Sequence, residues 1–134
     1  METAERVRIA LEALAPTPEK VDLAVKTALD VARPSRVILF GSWTRGEAKW
    51  DSDLDMAVLM PDLTPQELGE IYRKLRRRLD QVPMSIDLVM ATEAYAAQFA
   101  DSINSIYYRI LSQGQIAYER PAARPDADTA HQSL

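Results

Sequence analysis

Apolar positions along the chain recur with two periods, and the period changes at Arg36. Upstream the spacing is helical: residues Thr3 to Leu14 place Val7, Leu11 and Leu14 on one face, and after Pro16-Thr17-Pro18 a second helix, Pro18 to Ala32, turns Val21, Val25, Ala28 and Leu29 inward. Pro34 stops it. Arg36-Val37-Ile38-Leu39-Phe40 is then a β-branched and aromatic run ending at Gly41, the pattern of a buried strand entering a turn. Next, Leu54, Met56, Val58 and Met60 alternate with Asp53, Asp55 and Ala57 until Pro61, so a second strand begins at or near Asp53. Thr64-Pro65-Gln66-Glu67 opens a capped helix reaching Leu79, with Leu68, Ile71, Tyr72, Leu75 and Leu79 as its buried stripe. Ser85-Ile86-Asp87-Leu88-Val89-Met90 predicts a third strand, and the intervening helix permits a parallel crossover between the second and third. Thr92-Glu93-Ala94 starts another helix, Asp101-Ser102 caps a further one ending near Gln113-Gly114, and Gln115 to Glu119 forms a short edge strand.

Carboxylates placed within these apolar strands carry the candidate chemistry. Side chains alternate along a strand, so Asp53 and Asp55 face the same way, with Cα atoms about 6.5–7 Å apart. Two carboxylates at that separation suit metal ions about 3.5–4 Å apart, the spacing of two-metal phosphoryl transfer. Asp87 is the only acidic residue of its strand, where burial demands either a cationic partner or a metal. With its strand beside that of Asp53, at about 4.8 Å, the three carboxylates converge. Like charges then raise one another's pKa, and a divalent cation reverses this; magnesium is the natural hard occupant. Gly41 lets the backbone approach an oxyanion, and the Ser42 hydroxyl at a helix start can donate to one. Arg45 serves either a phosphate or a structural pair with Glu47 or Asp51. Gly46 is expected to end the short helical turn in a left-handed conformation, and Asp51 is read as a loop acid.

The pattern Gly41-Ser42-x-x-Arg45-Gly46-x-Ala48-x-x-x-Ser52-Asp53-x-Asp55-x-x-Val58, with Ile86-Asp87-Leu88-Val89 downstream, resembles the minimal nucleotidyltransferases (MNT) of the DNA polymerase beta-like superfamily. The likeness spans Val37 to Glu119, because Gly114-Gln115-Ile116-Ala117-Tyr118-Glu119 is similar to the Gly-x-x-x-Tyr-Glu ending of those proteins. It implies an α/β polymerase beta-like fold, a small mixed sheet packed with helices. It further implies that Asp53 and Asp55 bind magnesium bridging the phosphates of ATP, that Asp87 completes a second metal position and helps activate the acceptor hydroxyl, and that Gly41 and Ser42 hold the terminal phosphates. Family members this small resemble the antitoxin halves of toxin–antitoxin modules whose partner is a helical HEPN toxin, some of which modify a toxin tyrosine with AMP. The expected function is therefore transfer of AMP from ATP to a partner hydroxyl within a type VII-like module. Two other readings compete: a catalytically silent antitoxin that acts by contact alone, and an aminoglycoside-type enzyme, which would need an added helical domain or a dimer for its acceptor pocket.

Composition narrows the setting more than the chemistry. At 134 residues and 47% hydrophobic content the chain suits one domain over residues 1–120, of which 1–33 form N-terminal helices. Residues 121–134 lack large apolar side chains save the last and are expected to be disordered; His131, the only histidine, sits there and is read as incidental. A net charge of −4 argues against stable nucleic-acid binding. Without cysteine there is no disulfide or thiolate site, and no apolar run approaches a membrane span, so a soluble, cytoplasmic protein is expected. The basic run Arg73, Lys74, Arg76, Arg77, Arg78 is read first as a solvated face, with phosphate contact or partner docking as alternatives. Trp43 and Trp50 flank the loop as base-stacking candidates or as lids over the core, and one of Tyr107 and Tyr108 is expected to be exposed.

Overall fold

A computed structural model describes residues 2–121. The expected disorder of residues 121–134, His131 included, falls outside the described residues beyond Pro121. The elements are α1 (Thr3–Glu12), α2 (Pro18–Ala32), β1 (Arg36–Phe40), β2 (Leu54–Met60), α3 (Pro65–Leu79), β3 (Ile86–Thr92), α4 (Glu93–Ala97), α5 (Ile106–Gln113) and β4 (Gln115–Glu119). The four strands form one sheet in the order β3-β2-β1-β4. β1 runs antiparallel to β2 and β4, while β2 and β3 are parallel, so the sheet is mixed. α3 is the crossover that the parallel pair requires.

Alternation along the strands builds two cores, one on each face. Val37, Leu39, Leu54, Met56, Val58 and Met60 pack with Ala24 and Ala28 of α2 and Leu75 and Leu79 of α3. On the other face Ile38, Phe40, Ala57, Leu59 and Ala91 pack with Ala96 of α4 and Ile110 of α5. β2 is therefore buried on both sides, and Asp55 is its one residue that is not fully buried. The sequence alternation reads β2 as covered on one face; Ala57 and Leu59 show that α4 and α5 cover the other.

Local signals explain the helix limits. Thr64 and Glu67 form a reciprocal capping box at the start of α3, with Pro65 in its first turn. Thr92 caps α4 by accepting from the Tyr95 N–H. α5 starts at Ile106 and not after Asp101-Ser102, because Ser105 is the residue whose side chain caps it, while Ser102 lies in a turn, its carbonyl accepting from the Ser105 N–H at 2.8 Å. α1 also departs from expectation. Val7 and Leu14 of its predicted inward face are 52% and 43% exposed, and the Leu11 side chain lies outside the described residues. The chain just beyond α1 is held by the Lys20 ammonium, which donates to the carbonyls of Ala13 and Ala15.

One ion pair ties α4 to the sheet. Arg36 donates from Nε and Nη2 to the two oxygens of Glu93, each at 2.7 Å, and the Ser35 hydroxyl adds a third bond at 3.0 Å. The Arg36 hydrogen bonds hold the Glu93 carboxyl below its ordinary value, against the opposing effect of burial. Replacing Glu93 by Gln is expected to cost about 1 kcal/mol at pH 7, since the pair is bidentate yet partly solvated. A depressed carboxyl contributes stability above the ordinary glutamate range and loses it as pH falls through the depressed value. Urea unfolding should thus show a gap between the two proteins at pH 7 that narrows as pH falls below the ordinary glutamate range; a gap that stays constant over that whole descent would rule out the ion pair as its cause.

Candidate active site

The site is built where β1 ends and β2 begins. Phe40 and Asp55 are register partners, which puts the Asp55 carboxylate beside Gly41. Gly41 adopts φ 78°, and a Cβ placed on it would overlap the Asp55 carboxylate, so both the conformation and the contact require glycine. From there the chain winds through successive turns: the Ser42 carbonyl accepts from Arg45 N–H at 3.2 Å and Glu47 N–H at 2.9 Å, and the Thr44 hydroxyl donates to the Gly41 carbonyl at 2.8 Å. No helix begins at Ser42; the loop is a turn system. Gly46 ends it with φ 70°, the left-handed conformation expected.

The parallel register sets Asp55 opposite Asp87, on neighbouring strands. Asp53 lies one residue before β2 and is exposed, as is Asp87; Asp55 is half-buried. The Asp55 carboxyl is pushed up, first by burial, then by the charges of Asp87 and Asp53, while Arg109 opposes the shift. The nearness of the Asp87 carboxyl as a hydrogen-bond acceptor also favours the protonated form of Asp55. Among the described residues no three carboxylate or histidine groups are drawn closely enough to hold a metal ion. The donor chemistry nevertheless fits magnesium: hard oxygens, mutually repelling, beside a glycine that leaves their face open.

Beside the carboxylates is a cleft of about 270 Å3 lined by Phe40, Gly41, Thr44, Arg45, Arg109 and Gln113. Arg45 pairs with Glu47 at 3.0 Å, both side chains mostly in solvent, so the structural pairing foreseen for it is present. Arg109 and Gln113 of α5 and Thr44 are residues that the sequence motif does not mark. Arg109 is the only charged residue of Ile106–Gln113, which is the one signal available for it.

Other candidates separate from this place. Trp43 is half-buried against the α2–α3 core and acts as a lid over it. Trp50 is 41% exposed and lines a crevice of about 220 Å3 with Leu14 and Asp53. Tyr107 packs in an aromatic trio with Tyr95 and Phe99, with ring centroids 5.6 and 5.8 Å away; it and Tyr108 are both half-buried. The basic run sits on α3, across the sheet from Asp55. There Arg76 bonds Asp80 and the Ile86 carbonyl, and Arg78 reaches Asp30 at 3.3 Å.

Residues 24–122 match the family model for polymerase beta nucleotidyltransferases, which is most of the chain and includes every carboxylate of the site. The chain belongs to this family. Among curated proteins none matches it. This nucleotidyltransferase domain is similar in structure to a toxin–antitoxin complex with AMP-PNP, at 25% identity and TM-score 0.42, covering 84% of this chain and 77% of that one. It is similar also to the tri-AMPylated Shewanella oneidensis HEPN toxin in complex with MNT antitoxin, at 21% identity and TM-score 0.42, covering 84% and 76%. A third is the toxin–antitoxin MntA-HepT, at 23% identity and TM-score 0.40, covering 78% and 74%. The family's α/β architecture with a mixed sheet is the one described above. Among the described residues no helix of this nucleotidyltransferase is long and apolar enough to cross a membrane.

Proposed function

We propose that this nucleotidyltransferase transfers AMP from ATP to a hydroxyl, a tyrosine of a HEPN toxin, and so acts as the antitoxin of a two-protein module. The observation that carries the reaction class is the pairing of Asp55 with Asp87 across parallel strands, beside the Gly41 turn. The partner half of the reading rests on the sequence motif from Gly41 to Glu119 and its resemblance to minimal nucleotidyltransferases. In this reading residues 1–120 form one domain, and the protein works as a hetero-oligomer with its toxin.

Asp53, Asp55 and Asp87 would hold two magnesium ions. Bound there, magnesium supplies neutralising charge for the phosphates and for the departing pyrophosphate. The chain's own groups do the positioning. Gly41 lets the terminal phosphates approach the backbone, the Ser42 hydroxyl donates to them, and Arg45 turns from Glu47 to a phosphate oxygen. Asp87 is exposed on an edge strand, where an incoming hydroxyl can meet it and pass its proton to the carboxylate. The acceptor oxygen bonds to the α-phosphorus, the bond to the bridging oxygen breaks, and pyrophosphate leaves with that electron pair. Positioning and charge do most of the work in such a transfer.

Incubation with ATP, magnesium and the product of the neighbouring gene, as the candidate toxin, followed by intact-mass measurement, tests this. The toxin should gain mass in steps of AMP, and Asp53→Asn should abolish the gain. A gain that survives Asp53→Asn would sink the site assignment. A stable complex with no mass change would favour the silent antitoxin, and modification of a free aminoglycoside without toxin would favour the small-molecule enzyme.

A further inference from the structure

The cleft beside Gly41 has two cationic walls that differ in how they are occupied. Arg45, on the turn, already holds Glu47. Arg109 projects from α5 into the same cleft, is exposed, and makes no salt bridge among the described residues. It acts on the Asp55 carboxyl through space without bonding it. A guanidinium presents five donors in a planar fork suited to phosphate, and one left unpaired at the wall of a cleft suits an anion.

We infer that Arg109 is an anion-binding residue of the cleft, receiving the phosphates of a nucleoside triphosphate from the α5 side, opposite the Gly41 turn. This rests on the nucleotidyltransferase reading above and extends it to a residue outside the motif. Gln113 lies one turn further along α5 and lines the same cleft, adding a neutral donor beside the guanidinium. The placement orients the substrate. Cations lie on the β1 and α5 side of the carboxylates, and Asp87 lies on the opposite side, on β3, whose outer edge carries no further strand among the described residues. Phosphates therefore run over β1 toward α5, and the acceptor enters across β3. The alternative is that Arg109 is a bystander in the cleft wall, in which case its loss would leave ATP binding unchanged or affect ATP and adenosine alike.

The test is calorimetric titration of the protein with magnesium-ATP and, separately, with adenosine, in the unaltered protein and in Arg109→Gln. Arg109→Gln should weaken ATP binding about 10- to 100-fold and leave adenosine within twofold. Equal affinities for ATP in the two proteins, or equal losses for ATP and adenosine, would overturn the inference. Should Arg109→Gln fail to fold, Arg109→Lys carries the same comparison: a loss confined to ATP supports the role, and none or an equal loss for both ligands overturns it. Absence of ATP binding by the unaltered protein is a different result, because it would remove the nucleotide reading and this inference with it.

Discussion

Asp55→Asn is expected to cripple the proposed transfer and at the same time make the protein more stable. Asp55 is half-buried on the central strand, and its carboxyl is pushed up by burial and by the charges of Asp87 and Asp53. A raised carboxyl means that the folded protein binds the proton more tightly than the unfolded chain does. Stability therefore falls as pH rises from the ordinary carboxylate range through the raised value, and above it the full cost of the charge remains. Asparagine has nearly the same shape and no charge, so it removes that cost. With a chelator present at neutral pH, the melting temperature should rise by about 1–4 °C, and the gain should shrink as pH falls below the ordinary range. Transfer of AMP should drop about 100- to 1,000-fold, the scale of losing one preorganised charge-stabilising group. A variant that melts lower than the unaltered protein at neutral pH would contradict the repulsion, and one that keeps its activity would contradict the role.

Gly41→Ala should do the reverse to stability, losing both fold strength and function. Alanine at φ 78° is strained, and its methyl group would overlap the Asp55 carboxylate. Together these are expected to cost about 1–3 kcal/mol, a fall of roughly 4–12 °C in melting temperature. The two causes separate in a double-mutant cycle. In an Asp55→Ala background the overlap is gone and only the backbone strain remains, so Gly41→Ala should cost clearly less there. Equal costs in both backgrounds would mean that close approach to Asp55 is not what requires glycine.

Much of the fold could be read in the chain because its signals are local. The limits of β1, α2 and α3 follow from a β-branched run, a proline stop and a capping box, each set by residues within one turn. The start of α5 was less readable, since Asp101, Ser102 and Ser105 are all good caps and only the packing of Ile110 on Ile38 and Phe40 selects among them. For α1 the helical period is present in Val7 and Leu14, yet periodicity says only which residues share a face, not whether anything covers it. The site divides in the same way. Gly41, Ser42, Asp53, Asp55 and Asp87 could be singled out by motif, while Arg109, Gln113 and Thr44 could not, because a lone charge on a helix, the one local mark of Arg109, does not say whether it lines a cleft or meets open solvent.

By itself, then, the sequence determined most of the elements, the strand acids Asp55 and Asp87 and the glycine turn, since propensity, capping and alternation act between near neighbours. Only the tertiary structure decided that β2 lies between β1 and β3, that Asp55 therefore faces Asp87 with Gly41 alongside, and that α5 folds back to bring Arg109 to the same cleft. Strand order depends on which faces can be buried together across the whole chain, and no short stretch of residues contains that information.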